Sequence, residues 1–252
     1  KMNAVFRGLT LAALSLSLMG AAQAQAGDVP AAQLKTLQQK LSQRLPSLPP
    51  IESARTTPMS GLIELKIGNT VFYSDATGEY LIEGHILETR TQRDLTAERL
   101  EEINRVTFNN FPFQDAVMWK NGNGKRRLVV FADPNCGYCK QLERELQKVK
   151  DVTVYTLLIP ILGADSRAKS ESIWCMKDRT TAWLDWMLEN KAPARAFGQC
   201  ATPLQRNLAL AQRLGVNGTP AMFFEDGTRL AAAAPLATIE QRLAKASAQS
   251  GR

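Results

Sequence analysis

Two cysteines separated by two residues carry the most reactive chemistry in the chain. They occur in the segment Cys136-Gly137-Tyr138-Cys139, after an apolar run at residues 128–131 and before apolar residues at helical spacing over 142–149. The first thiol therefore falls at or near a helix N-terminus, where free N–H groups and the helix dipole favour a thiolate. Because the thiolate is the attacking species in disulfide exchange, the segment predicts a thiol–disulfide oxidoreductase in which the second thiol resolves a mixed disulfide.

Cys175 and Cys200 complete a set of four cysteines, for which three pairings are possible. The short spacing makes Cys136 and Cys139 natural partners, and it leaves Cys175 to pair with Cys200. Such a bridge would contribute about 3 kcal/mol in the chain-entropy description. We therefore interpret one pair as catalytic and the other as structural. A zinc site is the alternative, but zinc is typically held by two close pairs of thiolates, so we expect neither a metal nor a cofactor.

Thr219-Pro220 is the other segment whose residues could take part in the chemistry of the thiols. It follows a turn at residues 216–218 and precedes a strand pattern at 221–224. A proline in this place is either an ordinary residue at the start of a strand or a cis-proline. A cis-proline facing the thiols would lend its neighbour's backbone groups to a bound peptide strand.

The remaining polar residues indicate no second chemistry. His85, the only histidine, lies on a predicted strand, and we interpret it as a surface or half-buried residue rather than the partner of a nucleophile. The net charge is +7, and the densest basic cluster, residues 125–127, follows an Asn-Gly-Asn-Gly turn. This pattern is typical of a solvated hairpin end, and we expect no nucleic-acid partner.

The elements that must position the thiols follow from hydrophobic periodicity. From residue 113 onward the predicted order is strand, helix, strand, helices, strand, strand, helix, which describes a mixed-sheet α/β domain with a long helical insert at 165–214. Before it come a helix at 30–45, strand patterns between residues 62 and 87, and a helix at 92–107. The last of these is interpreted as a connection between two domains, or alternatively as one more helix of a single domain.

The first residues have the pattern of an export signal. Arg7 precedes a short apolar run, and an Ala-Gln-Ala site ends at Ala26. The apolar run is too short to span a bilayer comfortably, so we expect residues 1–26 to be a cleaved signal peptide. The protein would then work in an exported compartment in which disulfides persist.

Together these segments resemble the DsbC-type periplasmic thiol:disulfide isomerases of the thioredoxin superfamily. The resemblance is carried by the Cys136–Cys139 segment, by Ile173-Trp174-Cys175 and by residues 214–220, which end in Gly-Thr-Pro. It implies an α+β protein of two domains. The expected parts are a small, strand-rich, cystatin-like dimerisation domain (27–91), a linker helix (92–112) and a thioredoxin fold with a helical insertion (113–252).

The resemblance also implies roles for residues and partners. Cys136 would be the nucleophile and Cys139 the resolving thiol, supported by Gly137, Tyr138, Thr219 and a cis-Pro220; Cys175–Cys200 would be the structural disulfide. The partners would be a second copy of the chain, misfolded disulfide-containing exported proteins, and a membrane thiol reductant of the DsbD type. A chaperone-like binder of unfolded exported proteins and a net thiol oxidase remain the alternative functions.

Two departures bear on these roles. The sister DsbG proteins usually have proline at the position of Gly137, so the motif favours the isomerase branch. Thioredoxin has an acid on the strand before its motif, where this chain has Val129-Val130. The sequence therefore shows no residue that would take the proton of Cys139 when Cys139 resolves the mixed disulfide.

Overall fold

The computed structural model describes residues 27–194 and 200–250. The predicted signal peptide, residues 1–26, lies outside the described residues. Contacts divide the chain into two compact units, with the boundary between Gly84 and His85. Within the described ranges, no helix is both long enough and apolar enough to cross a membrane.

The first unit consists of one helix and a four-stranded antiparallel sheet. Its elements are α1 (Ala31–Arg44), β1 (Ser53–Thr56), β2 (Leu62–Ile67), β3 (Thr70–Asp75) and β4 (Leu81–Ile82), and the strands stand in sequence order. Alternate residues of β2 are buried, because successive side chains of a strand point to opposite faces. They share one apolar cluster with Leu37 and Leu41 of α1. This is the small helix-and-strand domain that the sequence predicts.

Two details of this region differ from the sequence prediction. The strand pattern ending at residue 87 is wrong as one strand: only Leu81–Ile82 pairs with β3, while β5 (Leu87–Glu88) pairs with β6 (Arg93–Asp94). The continuous apolar pattern concealed a break at Gly84, where the first compact unit ends. Strand β1 was not predicted, because Ala54 is its only buried residue and no alternation is visible.

The predicted linker, residues 92–112, contains one α-helix, α2 (Leu95–Ile103), and a 3-10 helix at Phe108–Asn110. This range lies inside the second compact unit. Glu101 forms an ion pair with Arg242 at 2.5 Å, which ties α2 to the last helix of the chain. The boundary between the units therefore precedes the predicted one at residue 91, and a linker role for α2 stays a prediction.

The second unit is built on a five-stranded mixed sheet in the order β11-β10-β8-β9-β7. The strands are β7 (Val117–Asn121), β8 (Arg126–Ala132), β9 (Val152–Leu158), β10 (Ala221–Phe224) and β11 (Arg229–Leu230). The helices are α3 (Gly137–Leu146), α4 (Ala164–Cys175), α5 (Arg179–Glu189), α6 (Leu204–Arg213) and α7 (Leu236–Ser250). Strands β8 and β9 are parallel, and the other neighbours are antiparallel. From β8 onward the predicted order of elements is confirmed, with α4 to α6 as the helical insertion. The hairpin expected around the Asn-Gly-Asn-Gly turn is wrong, because β7 pairs with β9 and not with β8.

Strand β8 is the central element that leads to the cysteines. Its residues alternate between two apolar clusters: Leu128 and Val130 face one, and Val129 and Phe131 face the other. A strand that is buried on both faces gives a continuous apolar run instead of an alternating one. This explains the apolar run in the sequence, and it fixes the point at which the chain leaves the sheet for α3.

Candidate active site

Cys136 is the N-cap residue of α3, in an extended conformation before the first helical residue. Its Sγ accepts a hydrogen bond from the Cys139 N–H at 3.3 Å. A side chain at this position satisfies one of the unpaired N–H groups that begin every helix. The cysteine at the helix N-terminus that the sequence predicts is therefore confirmed, with its sulfur directed at the free N–H groups.

The electrostatic surroundings favour the thiolate of Cys136. The Cys139 thiol, which donates a hydrogen bond to it, is the main cause that lowers the pKa of Cys136 from 9.0 to about 5. Burial acts in the opposite direction, and the Thr219 side chain and the Tyr138 N–H lower the pKa further. At neutral pH the group is therefore a thiolate, although its side chain is only 6% exposed.

Cys139 has the opposite character. It is buried on the inner face of α3. The hydrogen bond that its thiol donates to Cys136 and its burial raise the pKa of the Cys139 thiol far above its ordinary value. The proton of the pair thus stays on Cys139 while Cys136 carries the charge. One thiol is ready to attack, and the other becomes reactive only after its proton has been removed.

The segment Thr219-Pro220 lies against the thiols, and its peptide bond is cis. The Cys136 thiol, when protonated, donates to the Thr219 carbonyl at 3.3 Å. Of the two interpretations that the sequence left open, the cis-proline is therefore the one found. The segment also lines a groove with Tyr138 and residues 231–235.

Tyr138 and Gly137 form the exposed first turn of α3. The Tyr138 side chain is 68% exposed and lines the groove. A Cβ at Gly137 would meet no atom within 4 Å. Packing therefore gives no reason for a glycine at this position, and its role stays a prediction.

Asp133 fixes the loop that precedes α3, a function that sequence reasoning missed. The carboxyl is fully buried and accepts the N–H of Asn135 at 2.8 Å and the hydroxyl of Ser166 at 2.7 Å. It also accepts the N–H groups of Ile161 at 2.8 Å and Leu162 at 3.0 Å. A buried carboxylate requires such partners, so Asp133 ties the loop before α3 to the loop after β9. An Asp directly after a buried strand was the available signal.

Glu143 is the second residue that sequence reasoning missed. It lies one helical turn after Cys139, is 3% exposed, and burial raises its pKa to about 7. The sequence interpretation counted the neighbouring leucines as the buried stripe of the helix and left this acid unassigned. Its spacing of four residues from Cys139 could have identified it, because residues at that spacing lie on one helix face.

The other two cysteines form a disulfide that joins the end of α4 to the segment before α6. The Cα atoms of Cys175 and Cys200 are 5.9 Å apart. The predicted pairing is confirmed, and these two sulfurs are not free to bind zinc with the first pair. In the described ranges, no group of three or more His, Cys, Asp or Glu side chains is placed to hold a metal ion.

The remaining residues singled out in the sequence take part in local pairs. His85 is exposed, lies outside regular strands, and contacts Asp94 through Nδ1 at 2.7 Å. In the basic cluster, Arg126 pairs with Glu240 and Arg127 pairs with Glu225.

A low pKa of Cys136 makes a direct prediction for the reduced protein. Because the thiolate is the nucleophile, we expect alkylation of Cys136 to follow a titration with a midpoint at pH about 5. The rate should be constant above this midpoint and should fall below it. Thiolate ultraviolet absorbance measures the same ionisation, with Cys136→Ala as the control that removes the signal. A midpoint near the ordinary value of 9.0 would contradict the geometry described above.

Sequence comparisons cover both units. The family described as "Disulfide bond isomerase protein N-terminal domain" matches residues 20–97, and the family described as "Thioredoxin-like domain" matches residues 113–247. A probable thiol:disulfide interchange protein DsbC of Bordetella parapertussis is 39% identical over 219 residues, which are 87% of this chain and 77% of the relative. The thiol:disulfide interchange protein DsbC of Escherichia coli strain K12 is 28% identical over 179 residues, 68% of this chain and 72% of that protein.

A solved structure also resembles part of the chain in fold and sequence. The disulfide interchange protein from Neisseria gonorrhoeae aligns with a TM-score of 0.51 and 36% identity. The alignment covers 54% of this chain and 98% of that structure.

Proposed function

Because the chain belongs to the DsbC family of thiol:disulfide interchange proteins, we propose that it is a disulfide isomerase that attacks non-native disulfides through Cys136. As a member it is a thiol–disulfide oxidoreductase with an N-terminal DsbC domain and a thioredoxin-like domain. The observation that carries the proposal is the difference in ionisation between the two thiols. Cys136 is held as a thiolate at a helix N-terminus, and Cys139 is held as a buried protonated thiol.

The reaction begins when the Cys136 thiolate attacks one sulfur of a substrate disulfide. A Cys136–substrate disulfide forms, and the second substrate sulfur leaves as a thiolate. That thiolate then attacks another substrate disulfide, and a later exchange releases Cys136, so no net electrons are consumed. Alternatively, Cys139 attacks Cys136, the substrate leaves reduced by two electrons, and a Cys136–Cys139 disulfide forms.

Exposed apolar side chains beside the active-site loop support misfolded proteins as substrates. Ile161 is 43% exposed and Leu162 is 55% exposed. Both are anchored by their N–H groups to Asp133, which immediately follows β8. Exposed apolar patches of this kind mark protein-binding sites when they extend over a larger area. The same feature favours a chaperone-like activity as the second candidate function.

We propose that the first unit forms a homodimer by strand pairing. Its sheet ends at β4, a two-residue strand. Two large side chains at this edge are exposed, Tyr80 at 72% and Ile82 at 47%. An unpaired edge with apolar side chains is a template for a second chain. A dimer would carry two Cys136 thiols that could react with one bound substrate.

Dimerisation predicts a solution mass twice that of the chain. Light scattering of the chain without residues 1–26 should give this doubled mass. A matched chain that also lacks residues 27–91 should give the mass of a monomer, because the proposed interface is then absent. A monomeric mass for the longer chain contradicts the dimer.

The proposed location is the periplasm, after cleavage within or after residues 1–26. An isomerase works only while Cys136 is reduced, and an oxidising compartment acts against this state. A membrane thiol reductant of the DsbD type is therefore the proposed electron donor.

Scrambled ribonuclease tests the proposed reaction. In a glutathione buffer, the protein should accelerate the recovery of ribonuclease activity from the scrambled form, because a reduced Cys136 allows wrong disulfides to rearrange. Fully reduced ribonuclease with the oxidised protein is the matched assay for the oxidase alternative. Acceleration of that reaction alone, without recovery from the scrambled form, would replace the isomerase by the oxidase.

A further inference from the structure

A carboxylic acid, Glu143, is buried in the core of the second unit, one helical turn after Cys139. Glu143 belongs to α3, and its neighbours Leu142 and Leu146 are members of the apolar cluster under the sheet. The cluster also contains both Cys136 and Cys139. An acid buried among apolar side chains destabilises a fold unless it is neutral or fully hydrogen bonded. The reaction proposed above does not use this group.

The partners of Glu143 are neutral hydrogen-bond donors. Its Oε2 accepts the indole N–H of Trp183 at 3.1 Å, and its Oε1 accepts the side-chain amide of Gln147 at 3.1 Å. The Trp119 indole also lowers the pKa of Glu143, yet its buried Nε1 completes no hydrogen bond in the described structure. Burial favours the neutral form of the acid, and the donors around it favour the ionised form.

No charged side chain contributes to the pKa of Glu143; burial raises it, and the indole and amide donors lower it. Arg144, which directly follows Glu143, is exposed, and two other charged residues of α3 have partners of their own. Lys140 stacks on Trp186 and binds Asn190, and Glu145 pairs with Lys148. On α5, which packs against α3 and contributes Trp183, Asp185 pairs with Lys191 at 2.7 Å. The pKa of Glu143 is therefore set by its burial and by these neutral donors.

The helix places Glu143 next to the thiol that needs a base. Glu143 follows Cys139 by four residues, so their side chains are neighbours on the inner face of α3. Helical side chains lean toward the N-terminus, which inclines Glu143 toward the turn of Cys139. Cys139 must lose its proton before it can attack, and burial shields it from bases in solvent.

We propose that Glu143 accepts the proton of Cys139 when Cys139 resolves the mixed disulfide, and returns it in the reverse reaction. The proposal rests on the proposed function, in which Cys136 forms that mixed disulfide. The Cys139 S–H bond breaks and the proton moves to the Glu143 carboxylate, while the Cys139 sulfur bonds to Cys136. The Cys136–substrate bond breaks, and the substrate leaves as a thiolate carrying two electrons. The charge thus passes from the carboxylate to the substrate sulfur.

The pH dependence follows from the sign of the ionisation. Glu143 accepts a proton only as a carboxylate, so resolution should accelerate as the pH rises through about 7 and then become constant. The attack by Cys136 has its own midpoint at pH about 5. The two steps therefore titrate in separate ranges, and a single experiment can observe both.

The test is a stopped-flow measurement on the reduced full chain with a fluorophore-labelled peptide disulfide. The first phase reports formation of the mixed disulfide by Cys136, and the second reports release of the peptide thiol by Cys139. We expect Glu143→Gln to leave the first phase unchanged. At a pH above the inflection it should slow the second about 100-fold, the lower end of what a positioned general base contributes. The second phase should then rise steadily with pH, without the inflection near 7.

Three further variants serve as controls for this test. Glu171→Gln removes an exposed carboxylate of α4 and should leave both phases unchanged. Glu143→Asp keeps an acid at the position and should restore an inflection. Trp183→Phe removes a hydrogen bond that lowers the pKa of Glu143, so it should move the inflection to higher pH and serves if Glu143→Gln fails to fold.

The outcomes separate this inference from the proposed function. If no mixed disulfide forms with the unaltered chain, the proposed function fails. If it forms and Glu143→Gln resolves it with the original pH profile, the role of Glu143 is wrong. An inflection that Trp183→Phe leaves in place overturns the role as well.

Discussion

Replacing Cys136 by serine is expected to reduce the refolding of scrambled ribonuclease to the uncatalysed rate. The hydroxyl of serine is not ionised at neutral pH, whereas the lowered pKa of Cys136 makes it a thiolate. No other described side chain can replace it. Cys139 holds its proton in the core, and Cys175 and Cys200 are joined to each other. The loss should therefore be complete, and recovery of ribonuclease activity over time measures it.

Cys139→Ser is the matched variant, because it removes the other thiol of the same segment. It should keep part of the isomerisation, since the substrate's own thiolate can resolve the mixed disulfide. It should lose the net reduction of substrates, and mixed disulfides should accumulate on Cys136. Suppression of aggregation by Cys136→Ser, measured separately, would show that chaperone-like binding is independent of the thiol. Full rescue of scrambled ribonuclease by Cys136→Ser would refute the proposed mechanism.

The double substitution Cys175→Ala with Cys200→Ala is expected to lower the free energy of unfolding by about 3 kcal/mol, because the bridge restricts the unfolded chain. The two cysteines are 25 residues apart in sequence. The loss should be partly limited by the nearby hydrogen bond from the Trp174 indole to the Ala201 carbonyl at 3.0 Å. Denaturant unfolding of the two proteins under non-reducing conditions measures the difference.

Reactivity of the first cysteine pair is the control for this variant. The disulfide joins α4 to the segment before α6, and neither end contributes to the hydrogen bonds around Cys136. Alkylation of Cys136 should therefore keep its midpoint at pH about 5. Equal stability of the variant and the unaltered chain would contradict a structural role for the bridge. A changed midpoint would show that the bridge also shapes the active site.

Much of the second unit could be predicted because local patterns and global packing agree there. The apolar run of β8 predicted a strand before the cysteines, and the two clusters around Val129 and Val130 explain why that run is continuous. The helix after Cys136 was recognisable from its apolar spacing. The position of the first thiol at the N-terminus of this helix followed from these two elements. From β8 onward the order of elements was correct for the same reason.

The first unit was predicted less well, because its strands are short and one of them is polar. β1 buries a single alanine, so it has no periodic signal, and its pairing with β2 depends on the neighbour. The pattern ending at residue 87 joined β4 and β5, which belong to different sheets. Local sequence reports which residues favour extended backbone, but it does not report which strand each one pairs with.

By itself, the sequence determined the reactive pair, the helix that begins at it, the order of elements around it and the partners in the second disulfide. These depend on spacing of a few residues and on periodicity, which are local properties. Only the tertiary structure decided that Asp133 fixes the loop, that Thr219-Pro220 is cis beside Cys136, and that Glu143 is buried between two indoles. A carboxylate costs little in water and several kcal/mol in an apolar core. The meaning of the same side chain therefore depends on contacts with residues distant in the chain.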